Sequence, residues 1–88
     1  MSKRISSANL ETVCKMINKV THSPEHYHSA ETKANVGHFL IDSAYGWYAL
    51  HRVTQGGGEQ DVFNTGHVPA KKLYELCHAF LLGLTFMD

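Results

Sequence analysis

This chain has no excess of either charge: eight lysines and arginines balance eight aspartates and glutamates. Charge-driven nucleic-acid binding leaves a basic surplus or stripe, so neutrality argues against it and equally against an acidic mimic of DNA. Cysteine is scarce. Cys14 and Cys77 are the only two, far apart and outside any C-x-x-C pattern, which excludes a disulfide-stapled mini-domain and makes a reduced, cytoplasmic setting the expectation. No stretch approaches the roughly 20 apolar residues of a membrane span. The opening MSKRISSANL has two basic residues with no apolar run behind them, so no signal peptide is expected. A length of 88 residues bounds the chain to a single domain, with a modest core and little room for a deep active-site cleft.

What is present divides by periodicity. Residues 8–21 alternate with helical spacing: Leu10, Val13, Cys14, Ile17 and Thr21 share one side, with Val20 at its edge, and Glu11, Lys15, Asn18 and Lys19 fill the other. Residues 1–7 are expected to form a flexible tail whose last serines, Ser6 or Ser7, cap the helix, and Pro24 is expected to stop it. Ser23-Pro24-Glu25 reads as a second helix start, giving a short turn over 24–28 and an irregular connection through Asn35. Val36–Asp42 and Trp47–Val53 read as strands. Gly46 closes the loop between them in a left-handed conformation. A four-residue loop pairs Asp42 with Trp47 and groups Phe39, Ile41, Tyr48 and Leu50 on one face. A three-residue loop exchanges the faces, because side chains alternate along a strand. The first register is preferred. Gly56-Gly57-Gly58 leads to a third strand near Gln60–Phe63, and Pro69 opens a final helix striped by Ala70, Leu73, Tyr74, Cys77, Phe80, Leu81 and Leu84. The fold class is therefore α+β, ordered α-β-β-β-α: a three-stranded antiparallel meander with its helices packed on one face.

Chemistry is harder to find. The triple glycine lies between strands, with no Gly-Lys-Ser/Thr behind it, so it reads as a flexible hairpin loop tolerant of substitution and not as a phosphate cradle. Seven histidines are the one unusual count. His22, His26 and His28 flank Pro24, while His38, His51, His67 and His78 are scattered, and no H-E-x-x-H or His-Cys-Cys spacing occurs. No metal and no cofactor are expected on that ground. His38 and His51 face each other in the preferred register, with Asp42 and Trp47 on the same side. That face supplies neither a cleft nor a nucleophile with a matching base, so no catalytic residue and no enzymatic activity are assigned. Tyr45, Trp47 and Tyr48 suggest base stacking, with Arg52 and Lys71-Lys72 available to phosphates, but the RNP1 pattern of sheet-borne RNA readers is missing. On the last helix Leu82 falls off the apolar stripe and, with the apolar residues after it, reads either as a surface for contact with a partner or as simple fraying at the C-terminus.

Two longer patterns carry a resemblance. VGHFLIDSAYGWYALHRVTQGGG at 36–58 and PAKKLYELCHAFLLG at 69–83 resemble small accessory proteins encoded by tailed bacteriophages and prophages. Those share an A-Y-G hairpin, a glycine-rich turn and a helix of the type L-Y-x-x-x-x-x-F-x-x-G, and Trp47 here stands where a second glycine is expected. The family brings no activity to transfer. It implies a setting, the host bacterial cytoplasm, and a non-enzymatic role in host takeover or anti-defence exerted by binding a host protein. The candidate contact residues are Tyr45, Trp47, His38, His51, Gly56, Gly57, Gly58 and Leu82. The alternatives are a nucleic-acid-associated module and a homo-oligomer that sequesters a small molecule or nucleotide.

Overall fold

A computed structural model of the chain describes residues 5–23 and 35–86. The elements run α1 (Ser7–Val20), β1 (Phe39–Ala44), β2 (Trp47–Val53), β3 (Glu59–Asp61) and α2 (Ala70–Phe86). The three strands form an antiparallel sheet in the order β1-β2-β3. The α-β-β-β-α order and the α+β class are those expected. The expected turn at 24–28, with His26 and His28, lies outside the described residues.

Helix α1 begins where its capping residues dictate. Ser6 Oγ accepts from the Asn9 N–H, and the Asn9 side chain accepts from the Ser6 N–H at 2.9 Å, a reciprocal capping box with asparagine in the usual Glu/Gln position. Ser7, assigned to the tail from sequence, is the first helical residue, and Ile5 already packs on the core. The other end terminates at Val20. His22 turns left-handed (φ 58°), its N–H reaches Lys19 O at 3.2 Å, and the Ser23 N–H reaches Asn18 O at 2.9 Å. This Schellman arrangement satisfies the last carbonyls; Pro24, expected to stop the helix, lies outside the described residues.

The core joins one side of each helix to one face of the sheet: Leu10, Val13, Cys14 and Ile17 from α1, Phe39 and Leu50 from the sheet, Leu73, Cys77 and Leu81 from α2. Phe80, expected in the buried set, is only partly buried and rests edge-on against Phe63 and tilted against Phe39. One expectation for α1 is overturned. Asn18 is not on the solvent side but buried at 3 % exposure. Its Oδ1 accepts from the Phe39 N–H at 2.8 Å, and its Nδ2 donates to Phe39 O at 3.0 Å. β1 is an edge strand, and this amide supplies the partners that a neighbouring strand would otherwise give.

The β1–β2 register differs from the preferred reading by two residues. Ala44 pairs with Trp47, Asp42 with Ala49 and Leu40 with His51, so the loop is only Tyr45-Gly46. A two-residue slip preserves side-chain alternation, which is why Phe39, Ile41, Tyr48 and Leu50 still share the core face. It does change partners: His38 does not face His51, and Asp42 does not face Trp47. Strand β3 is shorter and earlier than expected, and Val62 and Phe63 fall in the turn after it. Asp61 holds that turn by accepting from the N–H groups of Asn64 and Gly66 at 3.2 and 2.7 Å. The chain then returns to β2, where Val68 and Tyr48 exchange both backbone hydrogen bonds at 2.8 Å.

Candidate functional site on the outer face of the sheet

Alternation along β1 and β2 sends Leu40, Asp42, Trp47, Ala49, His51 and Val53 to the face opposite the helices. At one end of this face is the hairpin tip. Tyr45 and Gly46 both have positive φ, 55° and 79°, the signature of a type I′ turn, whose twist suits a two-residue hairpin. Such turns favour Asn, Asp or Gly at the first position, and tyrosine there carries backbone strain. The Tyr45 side chain is fully exposed (104 %), and Trp47 beside it is 53 % exposed. A fully exposed ring and a half-exposed one therefore stand at the end of the hairpin.

Further along the same face, three half-buried polar side chains converge. Asp42 comes from β1, His51 from β2, and His67 from the residue before the Val68 bridge. His67 Nε2 and Asp42 Oδ2 are 2.7 Å apart, and the His51 and His67 rings lie 6.0 Å apart, tilted by 54°. One ligand-capable atom from each of the three falls within 4.8 Å of the others. Glu59 on β3 orients His51, its Oε1 lying 2.9 Å from Nδ1. In a neutral ring, a carboxylate at Nδ1 favours the tautomer that carries its proton there, with Nε2 as the acceptor.

The residues chosen from sequence do not form one site. Tyr45 and Trp47 stand together at the tip. Gly56-Gly57-Gly58 sits at the other end of β2, whose seven residues span about 20 Å at roughly 3.3 Å each, so tip and glycine loop are not one contact region. Leu82 is exposed on α2, on the helical side of the sheet. His38 is buried at 8 % exposure, its carbonyl accepting from the Val53 N–H at 2.9 Å. His51 alone of the chosen histidines reaches the polar cluster. Asp42 and His67 were not singled out as a pair, although the Asn64-Thr65-Gly66 turn followed by Val68-Pro69 marks a short extended return that could have drawn attention to His67.

Other features limit what the surface does. Arg52 points to the helical side, with its guanidinium 4.8 Å from the Phe39 ring centroid and Nε donating to Gly37 O at 3.3 Å. It does not share a face with Trp47. Burial pushes the thiols of Cys14 and Cys77 up to about 12 and about 11, with Glu11 and then Cys77 adding to the effect on Cys14. Neither thiol is a ready nucleophile near neutral pH. An open apolar depression of about 360 Å³ lies on α2 between Ala79, Phe80, Gly83 and Leu84. Among the described residues no helix is long and apolar enough to cross a membrane. No family model, curated protein or solved structure matches this chain.

Proposed function

We propose that this protein acts by binding another protein through the tip of the β1–β2 hairpin, with Tyr45 as the central contact and Trp47 beside it. The observation that carries the reading is the left-handed, fully exposed Tyr45. A residue with a Cβ costs roughly 1–2 kcal/mol in that conformation, and an exposed ring returns none of it through packing. Folding therefore gives no reason for tyrosine at this position. Binding does, because tyrosine and tryptophan dominate the energetics of protein interfaces and lose little side-chain entropy on contact. The resemblance to phage accessory proteins directs the reading toward a bacterial host protein, in a host-takeover or anti-defence role, with no catalytic step. The nucleic-acid reading is weaker, since the chain is neutral and Arg52 lies on the other face from Trp47. Sequestration of a nucleotide is weaker again, because the depression on α2 is apolar and open.

The test uses Tyr45→Asn, which suits the turn but removes the ring. The variant should melt several degrees above the parent, since about 1 kcal/mol shifts a domain of this size by roughly 4–8 °C. It should also lose the protein that the parent retains from bacterial lysate at high salt. A host protein retained equally by both, or no salt-resistant protein retained by the parent, refutes the reading.

A further inference from the structure

We propose that Asp42, His51 and His67 form a binding site for a first-row divalent transition ion, with zinc as its natural probe, and that Glu59 orients His51 within it. This departs from the expectation of no metal, which rested on local spacing in the sequence, and it does not depend on the hairpin reading.

The donor set suits such an ion. Two imidazole nitrogens and one carboxylate oxygen are ligands that zinc and its neighbours accept, while magnesium and calcium favour all-oxygen sites. Tetrahedral zinc, with bonds of about 2.0–2.1 Å, holds its donors roughly 3.3 Å apart. The three candidate atoms already lie within 4.8 Å of one another, so the widest pair closes by roughly 1.5 Å at most while the 2.7 Å His67–Asp42 pair opens by roughly 0.6 Å. The 2.7 Å contact between His67 Nε2 and Asp42 Oδ2 marks where the ion would enter: it replaces the shared proton, which moves to His67 Nδ1. His51 needs no such change. Its Nδ1 is already 2.9 Å from Glu59 Oε1, the outer carboxylate–histidine pairing that fixes a ligating ring and raises its basicity.

The surroundings support the same assignment. All three side chains are half-buried, above a sheet surface where Ala49, across from Asp42, is fully buried. Partial burial lowers the competition from water without closing the site. Each donor is carried by paired backbone: β1 and β2 hold the first two in register, and the Val68–Tyr48 bridge anchors the residue next to the third. Three protein ligands leave the fourth position to water or to an incoming group, the layout of an open rather than a structural zinc centre.

The experiment is calorimetric titration of tag-free, chelator-stripped protein with zinc, with cobalt(II) absorption as a second readout. The parent should saturate at one ion per chain, give the strong visible bands of four-coordinate cobalt, and show no heat with magnesium. His67→Ala and Asp42→Asn should each weaken binding by more than about 100-fold, and Glu59→Gln by about 10–100-fold, the usual loss for an outer partner. His78→Ala, which changes an exposed histidine on α2 packed against Tyr74, should bind like the parent. Circular dichroism on each variant confirms that the fold is retained, and Asp42→Asn keeps the size and much of the hydrogen bonding if His67→Ala proves unstable. No saturable binding by the parent overturns the proposal. So does zinc affinity that Asp42→Asn and His67→Ala leave unchanged, since the ion would then sit on other histidines.

Discussion

Replacing Asn18 by alanine tests the packing of α1 on the sheet more sharply than any apolar truncation. The Asn18 amide is buried and makes two hydrogen bonds, at 2.8 and 3.0 Å, to the backbone N–H and C=O of Phe39. In Asn18→Ala both backbone groups lose the partner that Asn18 supplies on the edge of β1 away from β2. An unsatisfied buried polar group costs about 1–3 kcal/mol, so the pair should cost about 2–5 kcal/mol, with some relief if water enters. A domain of this length has a total stability of roughly 4–13 kcal/mol, at about 0.05–0.15 kcal/mol per residue. The substitution therefore removes a large fraction of it. Asn18→Asp should be no better. Its carboxylate can accept from the Phe39 N–H but cannot donate to the carbonyl, and it brings a charge into the core. Urea denaturation followed by circular dichroism is the assay, with the midpoint falling at constant slope. A loss below about 0.5 kcal/mol for Asn18→Ala, the size of an ordinary surface substitution, would refute the edge-capping argument.

The cysteines predict an alkaline weakness. Their folded-state values, about 12 for Cys14 and about 11 for Cys77, lie above the ordinary 9.0, so unfolding releases thiol protons once pH exceeds 9. The stability they confer is whole below pH 9 and is lost as pH climbs toward 11–12. Denaturation midpoints should fall over that window and fall less steeply in the Cys14→Ala/Cys77→Ala protein; identical slopes would contradict the assignment. The glycines predict a ranking. Gly46 and Gly57 are left-handed, at φ 79° and 85°, with no atom within 4 Å of an added Cβ, so Gly46→Val and Gly57→Ser should each cost about 1–2 kcal/mol through the backbone alone. Of the three loop glycines, expected to be partly expendable, only Gly58 should therefore accept a side chain: in Gly58→Ala the added Cβ meets the movable Thr54 Oγ1 at 3.3 Å and the loss should stay within about 0.5 kcal/mol. Urea melts of the three variants check the order, and a neutral Gly57→Ser would break it.

Local periodicity in the sequence determines a good deal of this protein. The stripe of Leu10, Val13, Cys14 and Ile17 and that of Leu73, Cys77 and Leu81 became the buried sides of the two helices, because a helix repeats every 3.6 residues whatever it packs against. The aromatic and branched runs became strands, and Phe39, Ile41, Tyr48 and Leu50 share a face because alternation survives a two-residue slip. Tertiary structure decided the rest. The turn type chose the strand partners, since a two-residue I′ loop matches the twist of the ribbon better than the longer loop suggested by Gly46. Asn18 went inward against its polar character because an edge strand offered its amide two partners. Asp42, His51 and His67 meet only after β1 pairs with β2 and Val68 returns to Tyr48. Nothing in their spacing along the chain brings them together: sheet hydrogen bonds and a capped turn do, and those are made between segments that local sequence patterns do not connect.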